Sequence, residues 1–218
     1  MRHAAAFARR EWGPLWAAVR AGAAGRGCRA FPLTLTALLL IVFFQLAQGR
    51  RGHGWGSGLV EDIGFVRAAD PWWLALARTP LSLFVPAADL PVWGALVQVL
   101  VVFGIAETAL GRRRTLLVAY VCTLAGSLCA RLGVALGPGG VLGLPAADAR
   151  IVDTGPSGAV VGLAVYLCLR FRAWATGILV TALMVGEAVV KPDLAGREHL
   201  VAIVAASAMY AILPHRGR

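Results

Sequence analysis

Six apolar stretches, at about 31–48, 91–109, 115–136, 155–169, 173–190 and 199–213, constrain this chain more than any other feature. A run of about 18 or more apolar residues reads as a helix that crosses a bilayer. Hydrophobic residues make up 59% of the 218 positions, where soluble domains carry about 45–50%. The expected fold is therefore an all-α membrane protein with six transmembrane helices. Residues 1–30 read as a basic cytoplasmic tail with an amphipathic piece from Phe7 to Val19 that can lie on anionic lipid. Residues 31–213 read as the membrane domain and 214–218 as a basic cytoplasmic C-terminus.

The net charge of +10 raises nucleic acid as a partner, but its distribution argues for orientation instead. The arginine-rich tail, Arg112-Arg113-Arg114, the Arg170 and Arg172 pair, and Arg216 with Arg218 all fall on one side of the spans. Basic residues of the other side are offset by acids such as Glu61, Asp62, Asp70 and Asp193. The positive-inside rule then places both termini in the cytoplasm. The expected partners are the lipid bilayer and other membrane-embedded proteins, with no nucleic acid. Abundant Ala and Arg with a single lysine point to a bacterial plasma membrane.

No metal or cofactor is expected. Cys28, Cys122, Cys129 and Cys168 form no C-x-x-C and read as apolar filler. His3, His53 and His215 have no second ligand at helical spacing. The long connection at about 49–90 holds Trp55, Trp72, Trp73 and Phe84, broken by Pro71, Pro80 and Pro86. Tryptophans so dense suit the headgroup level, so this loop is expected to lie in the outer interface. The alternative, a soluble ectodomain, is small for an independent core.

The chemistry sits at two places. Gly155-Pro156-Ser157-Gly158 opens the fourth stretch, and His199 opens the sixth. The fourth stretch is short for a span, so Ser157 lies roughly 20 Å above Arg170, sunk beneath the outer surface. His199 lies roughly 22 Å above Pro214, at nearly the same depth. The backbone of Asp153, Thr154 and the Gly-Pro pair then enters the membrane as irregular chain, tolerated only where protein or a wet cavity surrounds it. A serine hydroxyl needs a neighbouring base, and neutral imidazole is one. Small residues Gly155, Gly158 and Gly162 on one helix and Ala202 and Ala206 on the other give flat faces for close approach. Singly, such a serine is most often a helix cap and such a histidine a solvated one. Their joint occurrence points to a nucleophile and base.

These residues resemble the rhomboid family of intramembrane serine proteases. Gly155, Ser157, Gly158, Ala159, Gly162 and Leu163 match the family's G-x-S-G-A-x-x-G-L. His199, Ala202 and Ala206 stand in its His-x-x-Gly-x-x-x-Gly, with alanine for glycine, and Gly104, Glu107 and Gly111 follow its second helix. The resemblance spans about 31–213. It implies a rhomboid-like six-helix bundle with an interfacial first outer loop and a catalytic Ser157–His199 dyad. It also implies transmembrane protein substrates and an oxyanion site built on the backbone N–H groups of Ser157 and Gly158, with Gln98 as a side-chain contributor. Pro91 and Ala95 stand where many members carry His and Asn oxyanion donors. A catalytically weak or inactive protein that binds membrane helices is the alternative.

Three further charges fall in or near the spans. Arg131 is expected to pair with Asp153 or Glu187; the sharper reading has Arg131 and Glu187 polarise the active site or gate a lateral entrance. Glu107 reads as a helix-end ion pair with the Arg112–Arg114 cluster. A small transporter using Arg131 and Glu187 as a polar pathway is a third possibility, unsupported by any inverted repeat. The sequence leaves the oligomeric state open.

Overall fold

The computed structural model describes residues 2–25, 31–49, 53–87, 91–140, 143–191 and 193–213. Cys28, Arg50, Arg51, Asp89 and the expected C-terminal tail at 214–218 lie outside the described residues. The described chain is all-α apart from two two-residue strands. Its helices are α1 (Arg2–Ala24), α2 (Pro32–Gln48), α3 (Ser57–Gly64), α4 (Trp72–Ser82), α5 (Val92–Gln98), α6 (Gly104–Leu110), α7 (Arg112–Leu136), α8 (Ser157–Phe171), α9 (Trp174–Val190) and α10 (Leu194–Ile212). A π-helical turn at Val99–Phe103 joins α5 to α6, making one rod over Val92–Leu110. Gly111, at φ 83°, ends that rod and starts α7 in a conformation that favours glycine.

The apolar stretches found in the sequence became helices, but two helices, Val92–Leu110 and Arg112–Leu136, are long and apolar enough to cross a membrane by length and composition. Three others are apolar but shorter: Pro32–Gln48, Ser157–Phe171 and Trp174–Val190. At 1.5 Å per residue, 15 to 17 residues give roughly 22–26 Å. Helix α10 begins five residues earlier than its apolar run suggested, because Asp193 caps it ahead of the charged Arg197 and Glu198.

The centre of the bundle is α7, α8 and α10. Cys122 of α7, Leu163 and Tyr166 of α8, and Ala202 and Ala206 of α10 are all buried there. Helix α2 and the π turn complete the core with Ile41, Phe44, Val99 and Phe103. Gly162 is the closest approach. A Cβ on it would collide with Cys122 Sγ and lie 2.7 Å from Cys122 Cβ, with the Ala202 carbonyl oxygen at 3.6 Å. The flat faces thus meet in a trio with α7, where a pair had been expected. Gly155 and Gly158 take no part in it: a Cβ on Gly158 would meet nothing within 4 Å, and one on Gly155 would meet the Val85 carbonyl at 3.9 Å.

Helix α9 buries none of its side chains and turns Ile178, Leu179, Leu183, Val189 and Val190 outward. The N-terminal segment docks on this bundle. Glu11 is buried and accepts a hydrogen bond from Thr176 N (2.8 Å), while Trp12 Nε1 donates to Thr176 Oγ1 (2.9 Å). A carboxylate far away in sequence therefore caps the first turn of α9. Glu107 does the same for α2. It is fully buried and accepts from Leu33 N (2.9 Å), Thr34 N (2.8 Å) and Thr34 Oγ1 (2.8 Å). The Arg112 contact expected of Glu107 is present at 3.5 Å, beside this capping role.

The first long connection is partly helical, as α3 and α4, with Trp55, Trp72 and Trp73 exposed. It is tied to the second connection by strands β1 (Val66–Arg67) and β2 (Val152–Asp153), antiparallel, with Val66 opposite Asp153 and Arg67 opposite Val152.

Candidate active site

Chain leading into α8 is shaped by three residues. Gly155 takes φ 116°, a value side chains rarely adopt, and its N–H bonds to the Ser82 carbonyl at 3.0 Å. Pro156 is the residue before the helix, and Ser157 is its first residue. The serine hydroxyl does not cap α8. Ser157 therefore stands at a helix N-terminus, beside first-turn N–H groups that have no intrahelical acceptor.

His199 lies in the second turn of α10, not at its mouth. It is 8% exposed, so it is not a solvated surface histidine. Its Nδ1 lies 3.0 Å from Glu187 Oε2, at the C-terminal part of α9. Its Nε2 is buried and has no hydrogen-bond partner among the described residues. Asp193 anchors the start of this helix: its Oδ1 accepts from Gly196 N at 2.9 Å, and its Oδ2 pairs with Lys191 Nζ at 3.0 Å. The Gly196 amide holds the Asp193 carboxyl below the usual carboxylate range.

Ser157 and His199 line the same cavity, of about 390 Å³. Gln98, Trp93, Thr154 and Glu187 also face it, as do Pro91 and Ala95. No hydrogen bond joins His199 Nε2 to Ser157 in this structure. Nucleophile–base contacts are often long in empty sites and tighten with substrate. The cavity is thus walled by the α8 N-terminus, the start of α5 and the α9–α10 hairpin, and is part polar and part apolar.

The other charges expected within the apolar stretches do not pair as expected. Arg131 donates to the Asp70 carbonyl and to the Arg67 carbonyl (2.7 Å), which fastens the first connection to α7. Asp153 Oδ2 accepts from Ser127 Oγ at 2.6 Å. Glu187 bonds His199. Arg131 therefore prefers backbone carbonyls made available by the β1 turn, and Arg131 and Glu187 line no common path.

Of the two expectations for Glu187, the pair with Arg131 is absent, and its carboxylate meets the cavity histidine instead. The signal was present: Glu187 and His199 are equally far from Asp193, and an antiparallel helix hairpin brings such positions face to face. Thr154, expected as irregular lead-in chain, stands on the cavity wall with Trp93 and Lys191, which no spacing rule marks. No cluster of three or more metal-ligating side chains occurs among the described residues. Comparison with protein-family models, curated proteins and solved structures finds no match to this chain.

Proposed function

We propose that this chain is a rhomboid-like intramembrane serine peptidase that cuts transmembrane helices of other proteins. The observation that carries the reading is the cavity shared by Ser157 and His199, with Nδ1 of the imidazole engaged and Nε2 buried and unpartnered. Ser157 is the nucleophile and His199 the general base. The N–H groups of Ser157 and Gly158, at the positive end of α8, are placed to bind an oxyanion. Gln98 is the side chain on the cavity wall that can add a donor.

The membrane setting rests on the two long apolar helices and on the outward apolar faces of α2 and α9. Exposed apolar area on this scale has no favourable place in water. In this reading α2, the Val92–Leu110 rod, α7, α8, α9 and α10 are the six membrane helices of a bacterial plasma-membrane protein with both termini cytoplasmic. Short α8 then begins within the outer leaflet. Its lead-in of Thr154 and Gly155 is half-buried and lines the cavity, where irregular backbone is tolerated. The exposed Trp55, Trp72 and Trp73 of the first connection sit at the outer interface.

The test is cleavage of reporter transmembrane helices co-reconstituted in liposomes. Wild-type protein cleaves at least one of them, and Ser157→Ala abolishes cleavage. Cleavage that persists in Ser157→Ala refutes the proposal.

One observation favours a second reading, a helix-binding protein without catalysis. Pro91 and Ala95 both face the cavity and offer no side-chain donor. A missing oxyanion donor costs about 10²–10³ in turnover. Under this reading reporter helices bind, and none is cut.

A further inference from the structure

We infer that Glu187 is the positioning carboxylate of this site, holding His199 in the tautomer whose Nε2 can accept a proton. The inference rests on the proposed roles of Ser157 and His199. It goes beyond the serine–histidine pair legible in the sequence, because it adds a third member on α9.

The geometry is specific. Nδ1 of His199 and Oε2 of Glu187 are 3.0 Å apart. A carboxylate only accepts, so the ring proton in this contact belongs to Nδ1. The lone pair is then on Nε2, the nitrogen that is buried and unpartnered. A buried acceptor without a partner is costly, and it is tolerated where a reaction uses it. The other charged groups near the histidine are engaged elsewhere. Asp193 bonds the Gly196 amide and Lys191. Asp153 takes the Ser127 hydroxyl. Glu198 packs its stem against Gly126 of α7 and shares a side-chain hydrogen bond with Asp153. Glu187 alone among these carboxylates reaches the imidazole.

The chemistry follows with every proton placed. As Ser157 Oγ bonds to the peptide carbon, its proton passes to His199 Nε2. The imidazolium then carries protons on both nitrogens, and the ionised Glu187 beside Nδ1 stabilises it. The Nε2 proton passes to the leaving amine as the C–N bond breaks. Water next gives a proton to Nε2 as its oxygen bonds to the acyl carbon. That proton returns to Ser157 Oγ as the ester opens. Glu187 remains ionised throughout.

The experiment compares kcat and KM of Glu187→Gln, Glu187→Ala and Ser157→Ala on the same reporter helix, with melting curves for each. Gln keeps the shape but can donate to Nδ1, which favours the wrong tautomer. Glu187→Gln is expected to lower kcat on the order of 10²-fold or more, with KM within about twofold. Added formate is expected to restore part of the kcat of Glu187→Ala, since Glu187 faces an open cavity and its side chain is 39% exposed. Wild-type kcat in Glu187→Gln, with Ser157→Ala inert, overturns the inference and leaves the peptidase reading intact. A fall in kcat that formate does not restore, with KM or melting temperature also shifted, marks structural damage and overturns it too. Activity in Ser157→Ala removes the peptidase reading itself.

Discussion

Gly162→Ala tests the packing that brings α8 and α10 together. An added Cβ would lie 2.7 Å from Cys122 Cβ. Cys122 can rotate its sulfur away, but its Cβ is fixed to the α7 backbone. Ordinary carbon contacts are about 3.5–4.0 Å, so α7 and α8 must part by about 1 Å. Ala202 is drawn in as well, since Cys122 Sγ lies 3.6 Å from its carbonyl oxygen. Overpacking of this kind costs about 1–3 kcal/mol; a contact between fixed atoms at a fully buried site belongs at the upper end. Alanine returns about 1 kcal/mol in helix propensity, which leaves a net loss of about 2 kcal/mol. For a chain of this length that is a fall of about 4–8 °C in melting temperature. Gly158→Ala is the control. Its Cβ meets nothing within 4 Å, so its melting temperature should hold or rise. Thermal unfolding in detergent reads both. Adding Cys122→Gly to Gly162→Ala should recover about 1–2 kcal/mol in a double-mutant cycle. Equal melting of the Gly162→Ala variant and the wild type, or no coupling to position 122, would refute the reasoning.

Three further expectations follow from the structure. Glu107→Ala strands the Leu33 and Thr34 amides of α2 and should cost at least about 2 kcal/mol, read by thermal unfolding; Glu107→Gln, which keeps an acceptor, should cost less. Asp193→Ala removes the α10 cap and should cost about 0.5–2 kcal/mol. Because the folded Asp193 carboxyl titrates below its ordinary value, its contribution is present above the unfolded pKa and is lost as pH falls through the folded one. The difference between wild type and Asp193→Ala should therefore shrink in acid. Arg131→Met frees the Arg67 and Asp70 carbonyls and should speed hydrogen exchange at the turn over 67–70 while α8 stays protected.

Much of the helical plan was legible because burial in lipid or protein demands long apolar runs, and Pro32, Gly111 and Pro156 punctuate them. What hydropathy could not see were contacts between charged groups and distant backbone. Glu11, Glu107 and Arg131 each serve main-chain groups of another element, and no local pattern encodes such partners. The start of α10 was misjudged for a related reason. The charged pair Arg197-Glu198, at the end of the first turn, hid a helix that Asp193 begins. At the site, the glycine-framed serine and the histidine were visible as residues. The Glu187 contact needed the α9–α10 hairpin. The π turn at Val99–Phe103, which turns Val99 and Phe103 into the core, left no signal in hydrophobic spacing.

The central claim is that Ser157 is an activated nucleophile served by His199. Purified protein in detergent should react with a fluorophosphonate, and mass spectrometry should place a single adduct on Ser157. His199→Ala should lose that adduct while keeping its fold. Absence of an adduct on the folded wild type, or one that forms equally without His199, contradicts the account.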